Sequence, residues 1–242
     1  MAAPITINVT NGSNTLQNFF FFQQPAQYSA TTPVYSNSLY TAPLLPASSS
    51  GAVLSFTPIL QPYAGVQQQT QPPQVGQLAG LLAARQSIAV AVAGGAPAND
   101  TTTMTVSPSL GLSVPVPSTP GPPAGSFRTV VPTFNPVLAN YNAGLAVQSI
   151  SGQIILSSFV TAQPTSNLDC QPVPVFYVAT GSYSAGTVIE FADSSANAAR
   201  CDTTPGYTTF NVTYNADGTW NVQRLALVRT AGGLRMLAGR PG

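Results

Sequence analysis

The clearest structural signal in the chain lies at residues 207–229, "YTTFNVTYNADGTWNVQRLALVR". "TFNVTY" and "TWNVQRLAL" each alternate apolar and polar residues, the period of a strand with one buried face. Between them, Asn215-Ala216-Asp217-Gly218 supplies turn chemistry, so the stretch predicts a β-hairpin. Upstream, "VPVFYVAT" (173–180) and "GTVIEFAD" (186–193) predict a second hairpin around "GSYSA". "AGLAVQSISGQIILSSFV" (143–160) predicts two strands around Ser151-Gly152.

The amino-terminal half reads the same way, less regularly. "ITINVT" (5–10) alternates, "NGSN" marks a turn, and residues 16–23 form a second strand. Further strands are predicted in 32–43, 52–60, 87–93 and 102–109. Residues 66–77, "VQQQTQPPQVGQ", read as a loop, and "LAGLLAAR" (78–85) as the one short helix. Residues 107–125, "SPSLGLSVPVPSTPGPPAG", suit extended, polyproline-like chain.

Many short strands and almost no helix predict an all-β fold. The expected architecture is a β-sandwich, jelly-roll or Ig-like with Greek-key connections, long proline-rich loops and little helix. A single domain over 1–242 with a crossover at 107–125 is expected. The alternative is two β subdomains, 1–106 and 126–242.

Within residues 16–23 stand four consecutive phenylalanines, Phe19, Phe20, Phe21 and Phe22, followed by Gln23-Gln24-Pro25. The run is too short to cross a bilayer, which takes ~20 apolar residues as a helix. As a strand it sends Phe19 and Phe21 to one side and Phe20 and Phe22 to the other. Both faces therefore need cover, from a second sheet or from another subunit.

Charge is scarce. Charged residues make up 5% of the chain, against roughly 25% in an ordinary soluble domain. All 7 basic residues are arginine, lysine and histidine are absent, and the formal net charge is +1. Without histidine the commonest general base and metal ligand is missing. A His-dependent nucleophile system cannot be built, and no enzyme is expected. So little positive charge gives a poor grip on phosphates, so no nucleic-acid partner is expected. No polybasic membrane patch or transmembrane segment is visible. Near-neutral charge leaves little repulsion between copies and favours self-association.

Few residues could carry chemistry. Cys170 and Cys201 flank the expected 173–193 hairpin, one at each open end, where a disulfide is geometrically possible; the alternative is two isolated thiols. Asp169 and Asp202 adjoin them and would come together with them, making weak calcium candidates beside backbone carbonyls. Turn chemistry is the commoner role for such aspartates. No other metal or cofactor is expected. The tyrosines and Trp220 could line a carbohydrate site, although packing explains aromatic residues in strands equally well. Four sequons, at Asn8, Asn11, Asn99 and Asn211, read as chance matches in a Ser/Thr-rich chain.

The stretches "NFFFFQQP", "LAVQSISGQIIL", "PVPVFYVATGSYSAGTVIEF" and "TFNVTYNADGTWNVQ" together resemble the rhizosphere-induced, RhiA-type proteins of bacteria. The resemblance brings no catalytic motif. It implies an abundant bacterial protein, often under quorum-sensing control and without a secretion signal. The chain is also similar to small bacterial inclusion-body proteins, which accumulate as ordered intracellular aggregates.

These readings lead to a non-enzymatic structural protein that self-associates into a filament, tubule or ordered inclusion. Copies of itself are the expected partner. The assembly residues are expected at the two ends, 4–11 and 224–242. They comprise Ile5, Ile7 and Val9, the four phenylalanines, and Arg224, Arg229, Arg235 and Arg240, since arginine is favoured at interfaces. Alternatives are a secreted carbohydrate- or membrane-binding, lectin- or toxin-like module, and a viral coat protein. "MAAPITINVT" lacks the charged and apolar regions of a leader, so a cytoplasmic location is expected, or an extracellular one if the chain is a mature form.

Overall fold

The computed structural model describes residues 4–149, 151–230 and 233–238, and their side chains except at 81–83, 149, 226–230 and 233–238. The fold is all-β and sandwich-like, with two short helices, α1 (Ala47–Ser50) and α2 (Phe191–Ala196).

The predicted hairpin at 207–229 is present as β17 (Thr209–Tyr214) and β18 (Trp220–Thr230), in register from Thr209↔Leu225 to Tyr214↔Trp220. Its turn closes through Asn215 N–H to Thr219 O at 2.8 Å. A five-stranded sheet grows around it, with β19 (Gly233–Ala238), β1 (Thr6–Asn11) and β5 (Leu54–Phe56) in the order β19-β18-β17-β1-β5. A second five-stranded sheet has the order β3-β13-β10-β8-β9. It contains β3 (Gln27–Tyr28), β8 (Thr101–Thr105), β9 (Gly111–Leu112), β10 (Phe127–Val131) and β13 (Ser166–Gln171).

The third and largest sheet contains β2 (Gln17–Gln23), β4 (Tyr35–Leu44), β6 (Pro58–Gln69), β7 (Gly80–Ser87) and β11 (Tyr141–Ser149). It also contains β12 (Ile154–Thr161), β14 (Val175–Thr180), β15 (Val188–Ile189) and β16 (Ala199–Asp202). Its order is β16-β14-β2-β4-β12-β11-β6-β7, with β15 beside β4. Each of the three sheets draws strands from both sides of the proline-rich 107–125 segment, which itself contributes only β9 and a bridge from Val116 to Thr101.

The phenylalanine run is the two-faced strand its period predicts. Phe19 and Phe21 enter the largest core cluster with Ile5, Ile7, Val9, Phe210 and Val212 of the first sheet. Phe20 and Phe22 face the other way, onto Tyr177, Ile189 and the partly buried Tyr183 and Phe191. The chain therefore covers both faces itself. Elsewhere the large sheet packs Val66, Ala143 and Val160 against Met104, Val131 and Leu168 of the second small sheet. The two small sheets thus share one side of the large one, and α2 with the 181–187 loop caps part of the other.

β1 and β17 pair in parallel, Thr6↔Thr209 through Asn11↔Tyr214. This sets "TINVT" against "TFNVT" residue for residue. Ile7, Val9, Phe210 and Val212 point inward. The partly exposed face carries a polar ladder across four strands: Ser55 Oγ donates to Asn8 Oδ1 at 2.7 Å, Asn8 Nδ2 to Asn211 Oδ1 at 3.1 Å, and Asn211 Nδ2 to Gln223 Oε1 at 3.5 Å. Asn11 is fully buried and its Nδ2 donates to Leu44 O and Thr15 O. Three of the four sequon amides are therefore engaged within the fold.

Several local expectations need correction. Residues 78–85 form no helix; most of them lie in β7, paired with β6 from Tyr63↔Ser87 to Gln69↔Gly80. Two turns of helix are marginal alone, whereas β6 offers a full ladder. β6 itself runs through Gln69, into the segment read as loop. The hairpin predicted over 173–193 is absent: β14 pairs with β2 and β16, β15 pairs with β4, and Phe191 opens α2. Residues 88–93 lie outside the strands, although Ile88 is buried.

Gly144 marks a close approach between strands. A Cβ here would overlap the backbone oxygen of Ser158 and stand 2.6 Å from Tyr28 Oη and 2.7 Å from Phe159 Cα. These are backbone atoms and a hydroxyl held by Leu145 N–H at 3.0 Å and by Ser158 O at 2.7 Å, so they cannot yield cheaply. Gly144→Ala is expected to destabilise the fold by about 2–3 kcal/mol, the range for overpacking a filled core. Urea denaturation checks this, and a loss below about 0.5 kcal/mol would contradict the tight approach.

Candidate functional site

The two aspartates expected to meet are held apart by separate arginines. Asp169 in β13 lies opposite Arg128 in β10. Arg128 donates to both carboxylate oxygens, Nε to Oδ1 at 2.6 Å and Nη2 to Oδ2 at 2.9 Å. Its Nη1 reaches Pro120 O at 3.0 Å, which ties the proline-rich segment to the second small sheet. Asp202 in β16 pairs with Arg200 at 2.8 Å and accepts from Thr204 N–H and Oγ. Burial alone would raise the Asp202 carboxyl; the Thr204 hydrogen bonds and the Arg200 charge outweigh it and hold the group below the usual carboxylate range. The shared calcium site proposed for Asp169 and Asp202 is therefore not formed, and no group of three acidic, cysteine or histidine side chains assembles among the described residues. Asp217 serves its turn, accepting from Thr219 N–H and Oγ.

The cysteines are likewise separated. Cys170 sits in a cluster with Phe127, Leu145 and Ala64 between the large sheet and the second small one. Cys201 sits in the largest cluster, against the first small sheet. Both are free and buried. The expected disulfide rested on the 173–193 hairpin; without it, β14 and β16 carry the two thiols into different cores. Burial pushes the Cys201 thiol up to about 12, against a smaller opposing pull from the Arg224 charge. Burial also drives the Tyr28 hydroxyl and the Cys170 thiol upward.

The aromatic side chains serve packing. Phe19, Tyr214 and Trp220 meet edge-on or tilted, with centroids 4.8–6.0 Å apart. Trp220 Nε1 donates to Asn197 O at 3.2 Å, which ties the end of α2 to β18. Two clefts open among the described residues. One of about 280 Å³ is bounded by the glutamines of 68–71 and by Val137 and Leu138, which are 88% and 82% exposed. The other, about 200 Å³, runs between 29–31 and 160–168. Neither is lined by tyrosine or tryptophan, which leaves the expected sugar-stacking platform without a place there.

The residues expected at assembly contacts divide into two groups. Ile5, Ile7, Val9, Phe19, Phe20, Phe21 and Phe22 are all buried within the chain. β1 is flanked on both sides, by β17 and β5, so it cannot be offered to a neighbour without opening the core. Their place as surface contacts is thus corrected. The arginines lie at the other terminus. Arg224 stands opposite Phe210, and its half-buried Nε has no partner among the described residues. Arg229 and Arg235 occupy β18 and β19, opposite Leu234 and Val228. Arg240 lies outside the described residues.

This terminus has an open edge. β19 pairs only with β18 among the described strands. From Ala226 onward β18 in turn pairs only with β19, because β17 ends its register at Thr209↔Leu225. Residues 226–238 thus make a two-stranded ribbon reaching past the sheet. Its sequence includes Leu227, Val228, Leu234, Met236 and Leu237. A lone two-stranded ribbon is marginal in water. The "RLALVR" half was read from sequence as a strand; what sequence reasoning missed was that β17 would stop short of it.

No protein-family model, characterised protein or solved structure matches the chain. No helix among the described residues is long and apolar enough to cross a membrane.

The thiols give two tests. A chromogenic thiol reagent should leave the native protein unmodified and titrate two thiols after guanidinium unfolding; none in guanidinium would indicate a disulfide. Raised thiol values stabilise the fold fully below the unfolded thiol's ordinary value of about 8.5. That contribution is lost as pH rises toward the folded value of about 12 for Cys201. The melting temperature should fall steadily across that alkaline window, and Cys201→Ala should flatten the fall.

Proposed function

We propose that the chain is a non-enzymatic structural subunit that associates with copies of itself into a filament, tubule or ordered inclusion. One observation carries this reading: β19, with sequence "GLRMLA", is a sheet edge paired on one side only among the described strands. Natural edges are commonly guarded by lysine, proline or a bulge. This one has a single arginine and none of those guards in its pairing register. An edge of this composition suits strand addition, in which backbone hydrogen bonds supply affinity. The small net charge of +1 leaves little repulsion to oppose it. The resemblance to RhiA-type and inclusion-body proteins supports the same reading.

Static light scattering and negative-stain microscopy at neutral pH provide the test. Wild-type protein should form species much larger than a monomer. Leu234→Lys with Leu237→Lys places charges on the edge strand and should shift the population toward monomer, while the far-ultraviolet circular dichroism keeps its β signature. A wild-type protein that stays monodisperse and monomeric at high concentration would sink the proposal and favour a binding module.

A further inference from the structure

The net charge of +1 conceals two opposite poles. Two of the arginines are matched locally, Arg128 by Asp169 and Arg200 by Asp202. Asp100 is buried beside Thr101, whose hydroxyl donates to it at 3.0 Å. The acids left over are Glu190 and Asp193 on α2 and Asp217 in the β17–β18 turn, all exposed. Neither Glu190 nor Asp193 has an ion-pair partner among the described residues. The cations left over are Arg85 on β7 and four arginines at or beyond Arg224.

Topology puts these two sets at opposite ends of one strand. Trp220, the first residue of β18, donates to Asn197 at the end of α2. At 1.5 Å rise per helical residue, Asp193 lies within about 6 Å of Asn197 and Glu190 within about 11 Å. Asp217 sits in the turn that leads into Trp220. The acidic pole therefore surrounds the start of β18. Arg229 is nine residues further along the same strand, roughly 30 Å away at strand rise, and Arg235 is opposite Val228 in the same ribbon.

We infer that the basic ribbon, residues 226–238, docks on the acidic α2 surface of the next copy, so that copies join head to tail. The inference rests on the self-association proposed above and names its contact. Two different patches meet, which makes the contact heterologous; such a contact closes into a ring or extends into a polar filament, whereas a two-fold dimer would set like poles together. Charge complementarity gives orientation and encounter rate, and the apolar residues of the ribbon supply burial.

Charge reversal tests this. Glu190→Lys with Asp193→Lys makes both poles basic, and Arg229→Glu with Arg235→Glu makes both acidic. Each variant alone should stay monomeric by light scattering, and a one-to-one mixture should associate again. Wild-type association should weaken roughly tenfold or more between about 20 mM and about 500 mM salt, as screening shortens the reach of these charges. Circular dichroism checks folding. If reversal at α2 unfolds the helix, the neutral pair Glu190→Gln and Asp193→Asn serves instead, with loss of the salt dependence as its readout. A wild type that associates while the reversed variants do likewise, or while their mixture remains monomeric, overturns the head-to-tail contact and leaves self-association standing. A wild type that is monomeric at low salt removes both.

Discussion

Four adjacent phenylalanines cannot share one side of a strand, and most of the architecture answers that constraint. Burying each is worth about 1.5–3 kcal/mol, so leaving either pair in water would cost several kcal/mol of a stability that is itself only about 5–15 kcal/mol. β2 is accordingly flanked by β14 and β4 within its sheet. The first small sheet covers Phe19 and Phe21, while Tyr177, Tyr183 and Phe191 cover Phe20 and Phe22. Phe22 stacks on Tyr177 with centroids 5.2 Å apart, and Phe191 meets both edge-on. Phe191 opens α2, so the cover over the second pair also fixes where Glu190 and Asp193 stand.

The same core explains the strand order. β1 supplies Ile5, Ile7 and Val9 from the chain's beginning, and β17 supplies Phe210 and Val212 from near its end. Each has an apolar inner face and a Thr/Asn outer face, and parallel pairing aligns both patterns at once. This long-range closure locks the amino-terminal strand into the middle of a sheet. It leaves the carboxyl-terminal ribbon as the part of the first sheet with least support from its own chain.

Scarce charge gives each charged group weight. The paired arginines tether loops: Arg128 holds the proline-rich segment through Pro120, and Arg200 holds Asp202 beside the Thr204 turn. The remaining charges fall at the two ends of β18 and give a nearly neutral molecule an electrostatic direction.

Local pattern by itself determined the strand class, the 207–229 hairpin and the two-faced nature of the phenylalanine run. Each follows from a period of two and from turn residues within a few positions. It failed where a segment's state depended on a distant partner. "LAGLLAAR" is helix-compatible until β6 offers it a ladder, and "GTVIEFAD" looks like the second arm of a hairpin until β2 and β16 take both sides of β14. The separation of Cys170 from Cys201, and of Asp169 from Asp202, follows from that change of neighbours. Only the tertiary structure decided which surfaces stay open. The sequence places apolar residues and arginines in both β18 and β19, but the end of β17's register at Thr209↔Leu225 leaves residues 226–238 with no third strand. Pairing between residues far apart in the chain is a property of the whole fold, and a local period carries no record of it.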